Sequence, residues 1–197
     1  MAEQNRGGLS RGLAAARTVA EWFGISQQDA PDLLVPKKGA ALLLAQQSSW
    51  AAARCTEASY RQVLAGALLL MKFLTHLDQI GVVQSRTYVS EIANQLGLKL
   101  RKDQKIESVL VRAVLDYEIA QRPKNAQYIN RDWLAVRYLS TNRIKWGDVE
   151  ELGSRKGEGV REWAERQRKV ERALARRGIP QTGPQALGKL KPTLGPP

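Results

Sequence analysis

The chain has 197 residues, of which 43% are hydrophobic and 25% are charged, a mixture typical of a folded globular protein rather than a disordered one. Lysine and arginine number 31 against 19 acidic residues, so the formal net charge is +12 and the isoelectric point is near 10.1. Such an excess repels itself in a compact fold and is favoured by a polyanionic partner, which can be DNA, RNA or an anionic membrane.

The cysteine content and the apolar segments indicate the cellular compartment in which the protein is expected. The one cysteine, Cys55, excludes an internal disulfide and favours a reducing compartment. The most apolar run, from Val63 to Leu74, contains Lys72 and is too short to span a bilayer, so it predicts a core helix. Because no apolar segment of signal-peptide type opens the chain, we expect a cytoplasmic protein.

The N-terminal quarter predicts two helices joined by a turn. Residues 1–9 are polar and glycine-rich and are expected to be flexible, with Ser10 as the N-cap of a helix that ends at Gly24. The segment 25–36 contains two prolines and predicts a turn or a short helix. An alanine- and leucine-rich run predicts a second long helix over 40–54.

The next helix is the predicted centre of the fold. Thr56 and Glu57 are expected to begin it, and it runs to about Ile80. Its residues are apolar on nearly every side, which is the pattern of a helix that is buried all round.

The C-terminal third predicts three more helices and a tail. Asn130 is expected to cap a helix over 131–140, and a short helix is expected over 145–153. A strongly charged helix follows over 159–177. Residues 178–197 are rich in glycine and proline without apolar periodicity, so they predict a disordered basic tail.

A basic helical hairpin is predicted between these regions. Thr87 is expected to cap a helix of about 88–96, and Asp103 a longer one over 104–121. Five residues match the helix-turn-helix pattern of an inner apolar residue, a small crossing residue, an apolar residue, a turn glycine and an apolar anchor. They are Ile92, Ala93, Leu96, Gly97 and Leu98.

The second helix of this hairpin departs from the pattern. Asp103 occupies the place of its first buried apolar residue, so the turn must be longer than the minimal one. Contacts to phosphates or base edges are nevertheless expected from its polar residues. These are Lys99, Arg101, Lys102, Gln104, Lys105, Ser108 and Arg112. The alternative is an ordinary helical hairpin with a solvated basic turn.

Two other segments match the helix-turn-helix pattern less well. In 17–34, Pro31 would interrupt the reading helix. The segment 146–159 lacks a small crossing residue and places three glycines in or after its turn.

The charged C-terminal helix is the second candidate nucleic-acid surface. A narrow apolar seam that includes Trp163 and Val170 would dock or dimerise it without burying it. Arginine outnumbers lysine, as suits phosphate recognition by a planar fork. Nucleic-acid contacts are expected from Arg155, Lys156, Arg161, Arg166, Arg168, Lys169 and Arg172. The alternatives are a solvated helix and, less well supported because the apolar face is narrow, a membrane-surface helix.

Catalytic signatures are missing from the sequence. It contains no P-loop, no dinucleotide fingerprint and no Cys/His cluster with zinc spacing. Asp148, Glu150 and Glu151 could hold a metal but are better explained as acids at a helix N-terminus. We therefore expect no enzyme activity, no catalytic residue, no metal site and no cofactor.

Together these features predict an all-α, compact multi-helix domain of about eight helices over 10–177, with a helix-turn-helix-like unit. Its expected function is non-enzymatic nucleic-acid binding, with DNA favoured over RNA, as a regulator or an accessory factor of replication or transfer in a bacterial, plasmid or phage system. The alternative is a helical backbone-binding subunit of a ribonucleoprotein or nucleoprotein assembly, similar in composition to the small subunits of CRISPR-type effector complexes. Other protein subunits or a second copy are further expected partners, whereas a membrane is not.

Overall fold

The computed structural model describes residues 2–53, 60–100, 105–116, 118 and 125–177, with the backbone alone for residues 2–6. These residues form eight α-helices, two short 3-10 helices and no strand, which confirms the all-α prediction. The α-helices are α1 (Ala2–Phe23), α2 (Pro36–Ala53), α3 (Tyr60–Gln79), α4 (Ser85–Gln95), α5 (Ile106–Val114), α6 (Ala126–Thr141), α7 (Val149–Ser154) and α8 (Val160–Arg176). The 3-10 helices are Ala30–Leu34 and Trp146–Asp148.

Helix α3 is the centre of the fold, as its apolar pattern predicts. Thirteen of its twenty residues are buried, and α1, α4, α5, α6 and α7 pack around it. Its one lysine, Lys72, donates a hydrogen bond to the carbonyl of Ile144 at 2.5 Å, so the ammonium has a partner despite the apolar surroundings. Burial lowers the pKa of Lys72, although the charge of Asp148 offsets part of this effect. The predicted caps Thr56 and Glu57 lie outside the described residues.

Helix α1 begins at Ala2, so the expected start at Ser10 is wrong. Gly8 and Gly12 lie where α1 approaches the end of α3. A Cβ atom at Gly8 would lie 3.4 Å from the carbonyl oxygen of Ile80, and one at Gly12 would lie 3.5 Å from Leu77. Both distances are ordinary van der Waals contacts, so a Cβ atom would fit at either position.

Helices α2 and α4 pack closely at Gly39 and Tyr88. A Cβ atom at Gly39 would lie 1.9 Å from the Tyr88 hydroxyl oxygen, so only glycine fits against this fully buried ring. Burial raises the pKa of Tyr88. Helix α4 begins at Ser85, whose hydroxyl donates to Asp78 at 2.9 Å, so Thr87 is not its N-cap.

Helix α5 is much shorter than the predicted 104–121. It ends at Val114, and Leu115 adopts an extended backbone. The side-chain amide of Gln47 donates to the carbonyls of Arg112 and Leu115, which supplies partners for carbonyls that a longer helix would otherwise pair. The predicted cap Asp103 lies outside the described residues.

The last helices form near their predicted positions. Helix α6 begins five residues earlier than expected, because the side-chain oxygen of Asn125, rather than Asn130, accepts from the Tyr128 amide at 3.0 Å. The short and charged helices are present as α7 and α8. Helix α8 packs on α6 and buries Trp163 and Gln167. The tail 178–197 lies outside the described residues.

Candidate nucleic-acid interface

The turn that the sequence predicts at Gly97 is present at the end of α4. Helix α4 ends in a turn at Gly97, whose φ of +67° belongs to the left-handed region that favours glycine. The amide of Leu98 donates to the carbonyl of Ala93 at 2.8 Å, and the amide of Gly97 donates to Asn94 at 3.0 Å. This pair of bonds is a Schellman motif, which ends a helix and reverses the chain.

The second half of the unit is not an exposed reading helix. Six of the nine residues of α5 are buried, and none of the other three is exposed. Helices α2, α3, α4 and α6 all pack against α5. A helix enclosed in this way has no face that can enter a DNA groove, because groove contacts need exposed side chains.

Two of the predicted contact residues occupy buried or half-buried positions in α5. Ser108 is only 6% exposed, and its hydroxyl donates to the carbonyl of Lys105 at 2.8 Å, so it is not available to a base. Arg112 is half-buried, and its Nε has no hydrogen-bond partner among the described residues. Arg112 also lines a pocket of about 290 Å³ with Gln47 and Leu115.

Of the five remaining predicted contact residues of this region, the structure describes two. Lys99 is exposed and Lys105 is half-buried at the N-cap of α5. Arg101, Lys102 and Gln104 lie outside the described residues.

Helix α8 carries the largest described group of predicted contact residues. It presents six basic and three acidic side chains, and its buried side docks on α6 through Trp163, Ala164 and Gln167. Six exposed cations at this end of the chain form no ion pair with any described residue. They are Lys156, Arg161, Lys169, Arg172, Arg176 and Arg177. Arg176 and Arg177 extend the predicted set by one further turn.

Two other predicted cations form exposed ion pairs. Arg155 lies 2.7 Å from Glu151, and Arg168 lies 2.5 Å from Glu165. Pairs of this kind contribute little to stability because water screens them. Both arginines can therefore exchange their carboxylate partner for a phosphate.

Arg166 differs from the other arginines of α8, because its guanidinium is used within the fold. It donates to Glu158 at 2.7 Å, to the Tyr138 hydroxyl at 3.2 Å and to the Gly157 carbonyl at 3.1 Å. The hydrogen bond with Tyr138 and the bond with Glu158 raise the pKa of Arg166. Arg166 therefore holds the start of α8, and its contact with nucleic acid stays a prediction.

A partly buried charge cluster fixes the other end of α8. The guanidinium of Arg137, on α6, lies 3.5 Å from Glu171 of α8 and 4.0 Å from Glu107 of α5. Gln167 donates to Glu171 at 3.3 Å. Because these contacts join three helices, they hold α8 against α5 and α6.

A pocket between α6 and α8 is a part of the surface that the sequence did not predict. It has a volume of about 450 Å³ and is lined by Gln127, Tyr128, Arg131, Arg161, Glu165 and Arg168. Tyr128 and Arg131 are three residues apart and share one face of α6. This spacing predicts from the sequence that Tyr128 and Arg131 lie together, but it does not predict which side of α8 they face.

Arg131 is held in this pocket by a buried carboxylate. Its Nε lies 2.8 Å from Asp132, which is fully buried and also accepts from the Tyr60 hydroxyl. Burial alone would lower the pKa of Arg131, but the charge and hydrogen bonds of Asp132, with those of Tyr60, outweigh it and raise the pKa. The guanidinium carbon lies 5.3 Å from the centroid of the Tyr128 ring, within cation–π range.

The acidic residues of the 146–151 region have local partners. Glu150 accepts from Gln62, and Glu151 pairs with Arg155. In the part of the chain that the structure describes, no three His, Cys, Asp or Glu residues are grouped as metal ligands.

Within the described residues, the structure contains no helix that combines the length and the apolar character needed to cross a membrane. Comparisons of the chain with protein-family models, with curated proteins and with solved structures give no match.

Proposed function

We propose that this protein is a non-enzymatic nucleic-acid-binding protein that contacts the sugar–phosphate backbone through the outer face of α8. The observation that carries the proposal is the set of six exposed cations in and beside α8 that form no ion pair with a described residue. Phosphate neutralisation by such residues supplies most of the sequence-independent affinity of nucleic-acid-binding proteins.

The geometry of α8 favours an extended polyanion over a small one. Arg161 and Arg176 are fifteen residues apart in one continuous helix, which corresponds to about 22 Å at 1.5 Å per residue. Cations distributed over this distance can contact several successive phosphates. The net charge of +12 for the whole chain would attract the same partner at long range.

Backbone contact rather than base reading is proposed because of the burial of α5. A regulator that selects a DNA site needs several exposed side chains on its recognition helix, and α5 has no exposed residue. This burial favours the backbone-binding alternative, in which the protein acts as a helical component of a nucleoprotein or ribonucleoprotein assembly. DNA remains the preferred first ligand for a test.

The proposal can be tested by measuring the affinity for a labelled DNA duplex by fluorescence anisotropy. Substitution of Lys169, Arg172 and Arg176 by glutamine removes three exposed cations of α8, and we expect the affinity to fall by about tenfold or more. A matched control removes three exposed cations from α1, α2 and α4. These are Arg17, Lys37 and Arg86, none of which pairs with a described acid.

The control variant should retain most of the wild-type affinity, because it loses the same number of positive charges but at positions away from α8. Equal losses in the two triple variants would contradict a binding surface on α8. A wild-type protein without measurable affinity for nucleic acid would contradict the proposal as a whole.

A further inference from the structure

The pocket between α6 and α8 brings an aromatic ring and three cations together. Arg161 and Arg168 line it from α8, and Tyr128 and Arg131 line it from α6. It is a depression that is largely open to solvent, with a volume of about 450 Å³. The pocket is thus large enough for one nucleotide unit, and its lining contains groups suited to both parts of such a unit.

We propose that this pocket binds one nucleotide of a single-stranded nucleic acid, with its phosphate at Arg161 and Arg168 and its base against the Tyr128 ring. The inference rests on the proposed nucleic-acid function and adds a preference for an unpaired strand. It assigns to the pocket a role that is separate from the phosphate contacts along the rest of α8.

The phosphate would be bound by the two arginines of α8. Arg161 is exposed and forms no ion pair with any described residue. Arg168 pairs with Glu165 at the surface, and an incoming phosphate can replace this carboxylate, because guanidinium groups bind phosphate by two parallel hydrogen bonds. Glu165 lines the same pocket, so its charge opposes the phosphate.

The base would stack on Tyr128. This ring lines the pocket and is only partly buried, with the Arg131 guanidinium 5.3 Å from its centroid. Because Arg131 is bound to the buried Asp132, its charge stays at this position without a ligand. Stacking on aromatic side chains is the usual way in which proteins bind bases of single strands without sequence preference.

A duplex cannot use this arrangement in the same way. Its bases are stacked and paired, and bringing one into a pocket requires that it first leave the helix, which costs free energy. The pocket is therefore expected to add affinity for single strands alone, while the outer cations of α8 contribute to the binding of both forms.

The test measures binding of a short fluorescein-labelled oligothymidylate and of a duplex of equal length to the full chain. Tyr128→Leu should lower the affinity for the single strand by about tenfold and leave the duplex affinity unchanged. Tyr128→Phe keeps the aromatic ring and should retain single-strand binding. Arg161→Gln should weaken single-strand binding more than Arg172→Gln, a change of equal charge outside the pocket.

Wild-type single-strand affinity in Tyr128→Leu would overturn the inference, as would an equal loss for duplex and single strand or an equal loss in Tyr128→Phe. If Tyr128→Leu fails to fold, the comparison of Arg161→Gln with Arg172→Gln decides, since both residues are exposed, and equal effects on the single strand would overturn the inference. Duplex binding that depends on α8 would leave the proposed function intact in each case. Absence of binding to either strand would contradict both.

Discussion

Arg166 and Glu158 form the ion pair that holds the beginning of α8, with Nη1 and Oε1 separated by 2.7 Å. The same carboxylate accepts from the indole of the fully buried Trp163 at 2.6 Å. One acidic side chain thus connects an arginine of the basic helix to the residue that docks this helix on the domain. The basic residues of α8 therefore differ in role: Arg166 stabilises the fold, whereas the exposed ones face the solvent.

The Glu158 carboxylate makes the docking of α8 sensitive to acid. Burial would raise the pKa of Glu158, but hydrogen bonds from Arg166 and Trp163 lower it below the ordinary 4.5. Because the folded-state pKa is the lower one, the stabilisation is fully present above pH 4.5 and is lost as the pH falls through the folded-state value. In thermal unfolding followed by circular dichroism, wild type should lose more stability below pH 4.5 than Glu158→Gln. Identical pH profiles would refute this role.

Arg166→Gln should affect stability more than Arg172→Gln does. Arg166 makes three hydrogen bonds within the fold, whereas Arg172 is exposed and forms no ion pair with a described residue. Since 42% of the Arg166 side chain is exposed, the expected loss in the free energy of unfolding is modest, about 1 kcal/mol. Chemical denaturation of the two variants provides the comparison. Equal stability of the variants would argue against a structural role for Arg166.

Arg137 should be the most sensitive charged residue of the α5–α6–α8 contact. Its side chain is 11% exposed and has two acidic neighbours, Glu107 and Glu171. Arg137→Met leaves both carboxylates partly buried without their cation, which should cost about 3 kcal/mol of unfolding free energy. Adding Glu107→Gln and Glu171→Gln should restore part of this loss, since the uncompensated charges are then removed. A triple variant that is less stable than Arg137→Met would contradict this explanation.

Gly39→Ala should destabilise the packing of α2 on α4. The added methyl group would overlap the Tyr88 hydroxyl and approach the ring carbon that carries it, at 2.8 Å, and overpacking of this kind costs about 1–3 kcal/mol. Tyr88→Phe alone should be nearly neutral, because the hydroxyl is buried without a hydrogen-bond partner among the described residues. The double variant should recover part of the loss, and denaturant unfolding measures this coupling. Strict additivity of the two changes would show that the hydroxyl is not the obstacle.

The presence of the helices could be predicted from apolar patterns that are local in the sequence. The all-round apolar character of α3 predicted its central position, and the narrow seam around Trp163 predicted that one side of α8 docks while its cations face outward. The central position of α3 and the docking of one side of α8 are confirmed, because a 3.6-residue period indicates how much of a helix must be covered. The outward direction of the cations is not general, since Arg166 donates its hydrogen bonds within the fold.

The error in the length of α5 involves a residue that is distant in the sequence. Helix α5 ends at Val114, where Gln47, more than sixty residues away in the chain, donates to the carbonyls of Arg112 and Leu115. One feature of the sequence indicated the burial of Ser108. Val111 and Leu115 follow it at helical spacing, so the three residues share one face, and the other two are apolar. The pocket between α6 and α8 had even less of a sequence signal, because it depends on how these two helices are aligned against each other.

The salt dependence of DNA binding tests the central claim most directly. If α8 contacts the backbone, a plot of the logarithm of the association constant against the logarithm of salt concentration should have a slope of about −3 or steeper, irrespective of sequence. The triple glutamine variant of Lys169, Arg172 and Arg176 should flatten this slope by about 2 to 3. The control triple variant of Arg17, Lys37 and Arg86 should preserve it. A wild-type slope near zero, or the same flattening in both variants, would contradict backbone binding by α8.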